Sequence, residues 1–160
     1  MLQKITKGKI KSRGGRVAIV ASRYNARYVD AMLRAAKAEI LRAGGQVQIV
    51  RVPGAYEIPV VVGKLARTSR VTHHASFSAI ICLGVILRGA TTHAQHIGEA
   101  VSSALVQIQL QHEMPVIHEV LLLENEQQAR ERCLGRTHNR GTEAAQTALA
   151  MARVMKSLRG

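Results

Sequence analysis

The chain has 160 residues, 47% of them apolar, and carries 23 Lys and Arg against 10 Asp and Glu, a formal net charge of +13. That length fits one domain over residues 1–160, and the apolar content excludes a disordered segment. The longest apolar runs, near Ala79 to Leu83 and Val120 to Leu123, are far too short to cross a bilayer, and an aromatic content of 2% gives no stacking platform for single-stranded nucleic acid.

In chain order, Lys4, Lys7, Lys9 and Lys11 make a basic start with no apolar stretch behind them, so a secretory signal is not supported. Residues 1–14 read as an N-terminal extension with a short edge strand. The β-branched run Arg16 to Ala21 predicts a strand, and Ser22 to Asn25 a polar turn. From Ala26 to Ala43 the apolar positions Val29, Met32, Leu33, Ala36 and Ile40 recur at helical spacing until Gly44-Gly45 stops them. Gln46 to Val52 predicts a second strand, ended by Pro53-Gly54. Ile58 to Thr68 predicts a helix with Pro59 in its first turn, where a missing N–H costs nothing.

Val71 to Ser76 is a polar connection. Phe77 to Gly84 predicts a third strand, Val85 to Thr92 a loop, and His93 to His112 a helix with Ile97, Val101, Ala104, Leu105 and Ile108 on one face. Pro115 to Leu123 predicts the fourth strand. Asn125 with Gln128 is a capping box for a helix through Cys133, and Gly141 to Leu158 predicts the last helix. Four strands alternating with helices imply an α/β fold, a parallel sheet covered on both faces. Such sheets bind ligands beyond the carboxyl ends of the strands, here Ser22 to Asn25, Pro53 to Glu57, Gly84 to His93 and Leu122 to Asn125.

Several chemistries fail at those loops. A phosphoryl-accepting receiver needs aspartates at strand ends, and the one aspartate, Asp30, falls in a helix. Gly63-Lys64 precedes a leucine inside a helix, so it is not a phosphate loop. No G-x-G-x-x-G follows the first strand and no G-x-S-x-G occurs. His93 and His96 lie three apart, but no carboxylate or cysteine close in sequence completes a metal set, so no metal is expected. Cys82 and Cys133 make no disulfide framework, and a cytoplasmic protein is expected. What remains is carbonyl or amine chemistry with a phosphate-bearing ligand. The turn Gly89 to Thr92 sits before a helix start, where amides favour an anion, and His93 can move a proton near neutral pH. Arg132 and Arg140 flank a loop and are candidates for phosphate, or two of many surface arginines. The +13 charge favours nucleic acid or another polyanion as partner, or else reflects a solvated basic surface.

Three segments then carry a resemblance. Val20 to Asn25, Val50 to Pro59 (VRVPGAYEIP) and Gly84 to His93 (GVILRGATTH), with Glu131-Arg132 and Asn139 to Ala145, resemble the signature segments of the lumazine synthases of the riboflavin pathway. The resemblance spans about residues 5 to 158. It implies a three-layer, flavodoxin-like sandwich. It also implies a cofactor-free transferase joining 5-amino-6-ribitylaminouracil to 3,4-dihydroxy-2-butanone 4-phosphate. By resemblance, Tyr24 stacks on the uracil, and Ala55, Tyr56 and Glu57 hold the ribityl chain. The backbone of Val85, Ile86 and Leu87 reads the pyrimidine edge, Ala90, Thr91, Arg132 and Arg140 bind phosphate, and His93 transfers protons. His118 lies over the pyrimidine from the neighbouring subunit's side. The family's sites lie between subunits of a homopentamer, and some members assemble twelve pentamers into an icosahedral capsid. The sequence departs from the usual pattern at Ala94, Gln95 and His96, where the family has an aromatic, an aspartate and an aromatic. It departs again at His118 and Thr142, where an aromatic is usual, and at Arg140, often lysine. These departures motivate the alternative of a weakly active or non-catalytic shell-forming or ligand-binding paralogue.

Overall fold

A computed structural model describes residues 14–72 and 76–160. The edge strand expected near the N-terminus lies outside the described residues. Among the described residues four strands, β1 (Arg16–Ser22), β2 (Gln46–Val52), β3 (Ala79–Leu87) and β4 (Val116–Leu123), form one parallel sheet in the order β2-β1-β3-β4. The helices between and after them are α1 (Ala26–Arg42), α2 (Ile58–Val71), α3 (His93–His112), α4 (Glu126–Cys133) and α5 (Arg140–Ser157).

The period-2 alternation of a strand divides the core cleanly. Val17, Ile19 and Ala21 of β1, with Ala79, Ile81 and Leu83 of β3, face Val29, Met32, Ala36 and Ile40 of α1 and Ala144, Ala145 and Ala148 of α5. Ala18, Val20, Ile80 and Cys82 face the other way, onto Ile58 and Val62 of α2 and Val101 and Leu105 of α3. Helices therefore cover both faces, and the three-layer α/β sandwich expected from the alternating pattern is what forms. The two buried cysteines are free.

The local signals act where their chemistry puts them. Gly44, at φ +77, takes the left-handed position that ends α1, which any side chain would strain. Pro59 occupies the first turn of α2. Asn125 caps α4 by accepting a hydrogen bond from the Gln128 amide at 3.0 Å. Gln128 returns the favour one residue early, accepting from the Glu124 amide at 3.0 Å. Close approach fixes Gly141, since a Cβ there would lie 2.0 Å from the Met32 carbonyl oxygen of α1.

The boundary that shapes the site differs from the sequence reading. Val85 to Leu87 are the end of β3, not a loop. The cause is non-local: β4 pairs with β3 in register from Ile80↔Val116 to Leu87↔Leu123, whereas β1 pairs with β3 only as far as Leu83. The last residues of β3 thus have a hydrogen-bonded partner on one side and an open edge on the other.

Candidate active site

The open edge of β3 forms the wall of a cavity of about 950 Å³ at the carboxyl ends of β1, β2 and β3. Three stretches of chain far apart in sequence meet there. The first is Tyr24-Asn25, the second Gly54 to Glu57, and the third runs from Val85 through Gly89, Thr91 and His93 into Ala94, His96 and Ile97 of α3.

Asn25 ties the first stretch to the third. It stands in the left-handed region, φ 55 and ψ 40, and its Nδ2 donates to the Val85 carbonyl at 2.8 Å. The first stretch is also tied to the second, because the Arg23 and Tyr24 amides donate to the carbonyls of Val52 at 2.8 Å and Pro53 at 3.0 Å. The loops are braced by main-chain bonds, so their side chains are presented on a fixed frame. Tyr24 is 74% exposed and Tyr56 63% exposed, so both rings stand at the rim with bare faces. Behind Tyr56 a short 3-10 turn, Ala55–Glu57, carries the Glu57 carboxylate. Gly54 makes room for it, since a Cβ there would come within 2.9 Å of Glu57 Oε2.

Thr91 and Thr92 lead into α3, whose first turn presents amides without intrahelical acceptors at the positive end of a 20-residue helix. The Thr91 hydroxyl accepts from the His93 amide at 3.4 Å. His93 is exposed into the cavity beside His96. Among the described residues no group of three or more His, Cys, Asp or Glu side chains is placed to hold a metal ion. Among the described residues the cavity's ionisable lining is Glu57, His93, His96 and the two tyrosines, with no lysine or arginine.

Of the residues singled out from the sequence, Tyr24, Ala55, Tyr56, Glu57, Val85, Ile86, Leu87, Thr91 and His93 therefore share one cavity. Ala90 lies exposed between two lining residues. His118, Arg132 and Arg140 do not line it. His118, on β4, faces α3. Its Nδ1 accepts from the Val120 amide at 3.1 Å, which leaves Nε2 to carry the proton and donate to Ser102 Oγ at 2.7 Å. Ser102 in turn donates to the Gly98 carbonyl at 2.7 Å. Desolvation holds the His118 pKa below the ordinary histidine value. Arg132 is exposed at the last turn of α4, and Arg140 begins α5. Arg140 Nη2 donates to Glu119 Oε1 and Nη1 to Glu143 Oε2, each at 2.8 Å.

The sequence reading passed over two residues of this frame. Asn25 was read as part of a turn, and nothing local told that its amide would bridge to β3. Glu119 does carry a signal, as a lone carboxylate inside the apolar strand VIHEVLLL.

A doubly wound α/β sheet with a small-molecule cavity at its strand carboxyl ends, an anion-favouring helix start and a histidine beside it defines a small-molecule enzyme of carbonyl or amine chemistry. Comparison with known proteins narrows the class. Residues 14–156 match the family model described as 6,7-dimethyl-8-ribityllumazine synthase. The 6,7-dimethyl-8-ribityllumazine synthase of Aquifex aeolicus (strain VF5) is 40% identical over 158 residues, covering 97% of this chain and 99% of that protein. The chain belongs to the 6,7-dimethyl-8-ribityllumazine synthase family.

Proposed function

We propose that the protein catalyses the penultimate step of riboflavin biosynthesis. It condenses 5-amino-6-ribitylaminouracil with 3,4-dihydroxy-2-butanone 4-phosphate to 6,7-dimethyl-8-ribityllumazine and releases phosphate and water. The observation that carries this reading is the convergence of three separate sequence segments on one cavity with an open β edge. In it Tyr24 stacks on the uracil, and Ala55, Tyr56 and Glu57 hold the ribityl chain, with the Glu57 carboxylate accepting from its hydroxyls. The end of β3 at Val85, Ile86 and Leu87, open on the side away from β4 and with its Val85 carbonyl bonded to Asn25, offers its remaining main-chain groups to the pyrimidine. Ala90 and Thr91, at the start of α3, receive the phosphate.

The amine of the uracil attacks the ketone, and loss of water gives an imine. Phosphate is then eliminated, the resulting enol becomes a carbonyl, and the second amine closes the ring on it with loss of a second water. His93, beside the phosphate turn, moves the protons, a role worth typically ~10²–10⁴-fold. Holding both substrates in register supplies much of the remaining rate.

A cavity lined by no lysine or arginine among the described residues does not by itself balance a phosphate dianion. That supports a site completed by a second subunit, which brings Arg132 and Arg140 to the phosphate and His118 over the pyrimidine. The working unit is then a homopentamer of single-domain chains in the cytoplasm, with twelve pentamers closing into an icosahedral shell. The +13 charge per chain, repeated around such a shell, would attract nucleic acid or another polyanion. A second reading, a binding or shell-forming paralogue with little turnover, is favoured by the cavity's thin aromatic wall. Its aromatic lining is two largely exposed tyrosines, with Ala94 and His96 on α3.

Formation of the fluorescent lumazine from both substrates separates the two. Turnover above the spontaneous background is expected to fall about 10²-fold in His93→Ala. It should weaken at least tenfold in the butanone phosphate KM in Arg132→Ala, the cost of a lost charge-assisted bond. An assembled protein that binds the uracil substrate yet makes no product above background supports the paralogue reading instead.

A further inference from the structure

Strand β4 buries one carboxylate, Glu119, at 1% exposure on the sheet face covered by α4 and α5. Its Oε1 accepts from Arg140 Nη2 at 2.8 Å, while Oε2 has no hydrogen-bond partner among the described residues. Arg140 is divided between two acids, since Nη1 donates to Glu143 Oε2 at 2.8 Å, and its buried Nε has no acceptor among the described residues. From α4, Arg132 acts on Glu119 through space, and the buried Cys133 thiol borders it. From the loop before α5, His138 Nδ1 lies 3.7 Å from Glu143 Oε1. β3 contributes only apolar side chains opposite it, Leu83 and Val85.

With Glu119 ionised, two carboxylates balance two guanidiniums and the group is neutral. With Glu119 protonated it is cationic. A guanidinium whose two terminal nitrogens both serve carboxylates cannot offer its fork to a phosphate. A buried acid with an empty oxygen is also costly as an anion.

We infer that Glu119 is a positioning residue for the phosphate end of the site: as a carboxylate it holds Arg140 back, and on taking up a proton it releases Arg140 Nη2 to the anion. The inference rests on the proposed phosphate role of Arg132 and Arg140. The proton comes from solvent and goes to Oε2, the unpartnered atom; when the anion departs, it returns to solvent. Burial raises the Glu119 pKa to about 7 against the opposing pull of Arg140 and Arg132, so the exchange falls in the working range of a neutral cell.

Sulfate is the probe, because it stays a dianion where inorganic phosphate itself titrates. Isothermal titration of the assembled protein is run between about pH 6 and about pH 8.5, in buffers of different ionisation enthalpy, with Glu119→Gln and His138→Gln variants. The parent is expected to take up protons on binding and to lose affinity toward tenfold per pH unit above the Glu119 pKa. Glu119→Gln keeps the shape without the charge; it should bind more tightly than the parent above neutrality with most of that slope gone. His138→Gln should keep the slope. A Glu119→Gln slope equal to the parent's overturns the inference alone. Sulfate binding undiminished in Arg132→Ala overturns the phosphate assignment and the inference with it. Should Glu119→Gln not assemble, infrared difference spectra of the parent at neutral pH decide: a protonated carboxyl band gained on sulfate addition supports the proposal, and no gain sinks it.

Discussion

Replacing Asn25 separates two contributions that meet at one residue. Its backbone is left-handed, φ 55, and its side chain donates to the Val85 carbonyl at 2.8 Å. Asparagine tolerates that conformation; alanine pays about 1 kcal/mol for it. The lost hydrogen bond adds about 1 kcal/mol, because water only partly replaces the amide at a half-buried position. Asn25→Ala should therefore cost about 2 kcal/mol. Asn25→Gly loses the same bond and accepts the positive φ, but adds roughly 0.5 kcal/mol of unfolded-state entropy, and should cost about 1.5 kcal/mol. For a chain of this size these losses correspond to roughly 2–4 °C per kcal/mol in the unfolding midpoint. Both variants are compared at one fixed protein concentration, since assembly shifts the midpoint. Both should raise the KM for the uracil substrate more than they lower kcat, because Asn25 braces Tyr24 and the open β3 edge without touching reacting atoms. A glycine variant as unstable as the alanine variant would refute the backbone half of the argument. An unchanged KM in both would refute the link between this brace and the site.

Three further outcomes are expected. Gly141→Ala places a Cβ 2.0 Å from the Met32 carbonyl, a backbone atom that cannot swing aside. It should destabilise by at least 1–3 kcal/mol, the range of about what overpacking costs, as read by denaturant unfolding; an unaltered midpoint would mean α1 and α5 are not held at this contact. Glu119 has a folded pKa raised from 4.5 to about 7, so the native state binds more protons than the unfolded state between those values. Its contribution must therefore decline as pH rises through that window. Thermal scans from about pH 5 to about pH 8 should show the parent losing stability relative to Glu119→Gln, whereas parallel profiles would contradict the assignment. Ser102→Ala removes the acceptor of the His118 Nε2 proton at 2.7 Å and frees the ring. A raised uracil KM with kcat retained is the expected result, and unchanged kinetics would take His118 out of the site.

Most of the fold was legible because its determinants are local. The helical spacing of Val29, Met32, Ala36 and Ile40, the β-branched run at Val17 to Val20, the left-handed stop at Gly44 and the Asn125 cap each act within a few residues of themselves. The end of β3 was not legible, for the opposite reason. Val85 to Leu87 are strand because β4, some thirty-five residues on, supplies a pairing partner that far along and β1 does not. The same asymmetry opens the edge that walls the cavity, so the error and the site share one cause.

The site divides along a similar line. Segments such as VRVPGAYEIP and GVILRGATTH carry their residues on single loops, and the parallel sheet delivers those loops to one end; sequence and topology together suffice for them. Arg132 and Arg140 belong to neither loop. They stand beyond β4 with Glu119 and Glu143, while the cavity that would take a phosphate is lined by no lysine or arginine among the described residues. In the function proposed above their charge reaches the phosphate from a second subunit, a surface outside this chain's own fold. Glu119 sharpens the point. Along β4 the side chains alternate, so His118 faces α3 and Ser102 while Glu119, one residue on, is buried toward α5 and Arg140. A shift of one residue in register would exchange them, burying a histidine against the arginine and freeing the carboxylate. The pairing Leu83↔Glu119 thus decides which of the two groups meets Arg140, so the contact between Glu119 and Arg140 is set by the register of β4.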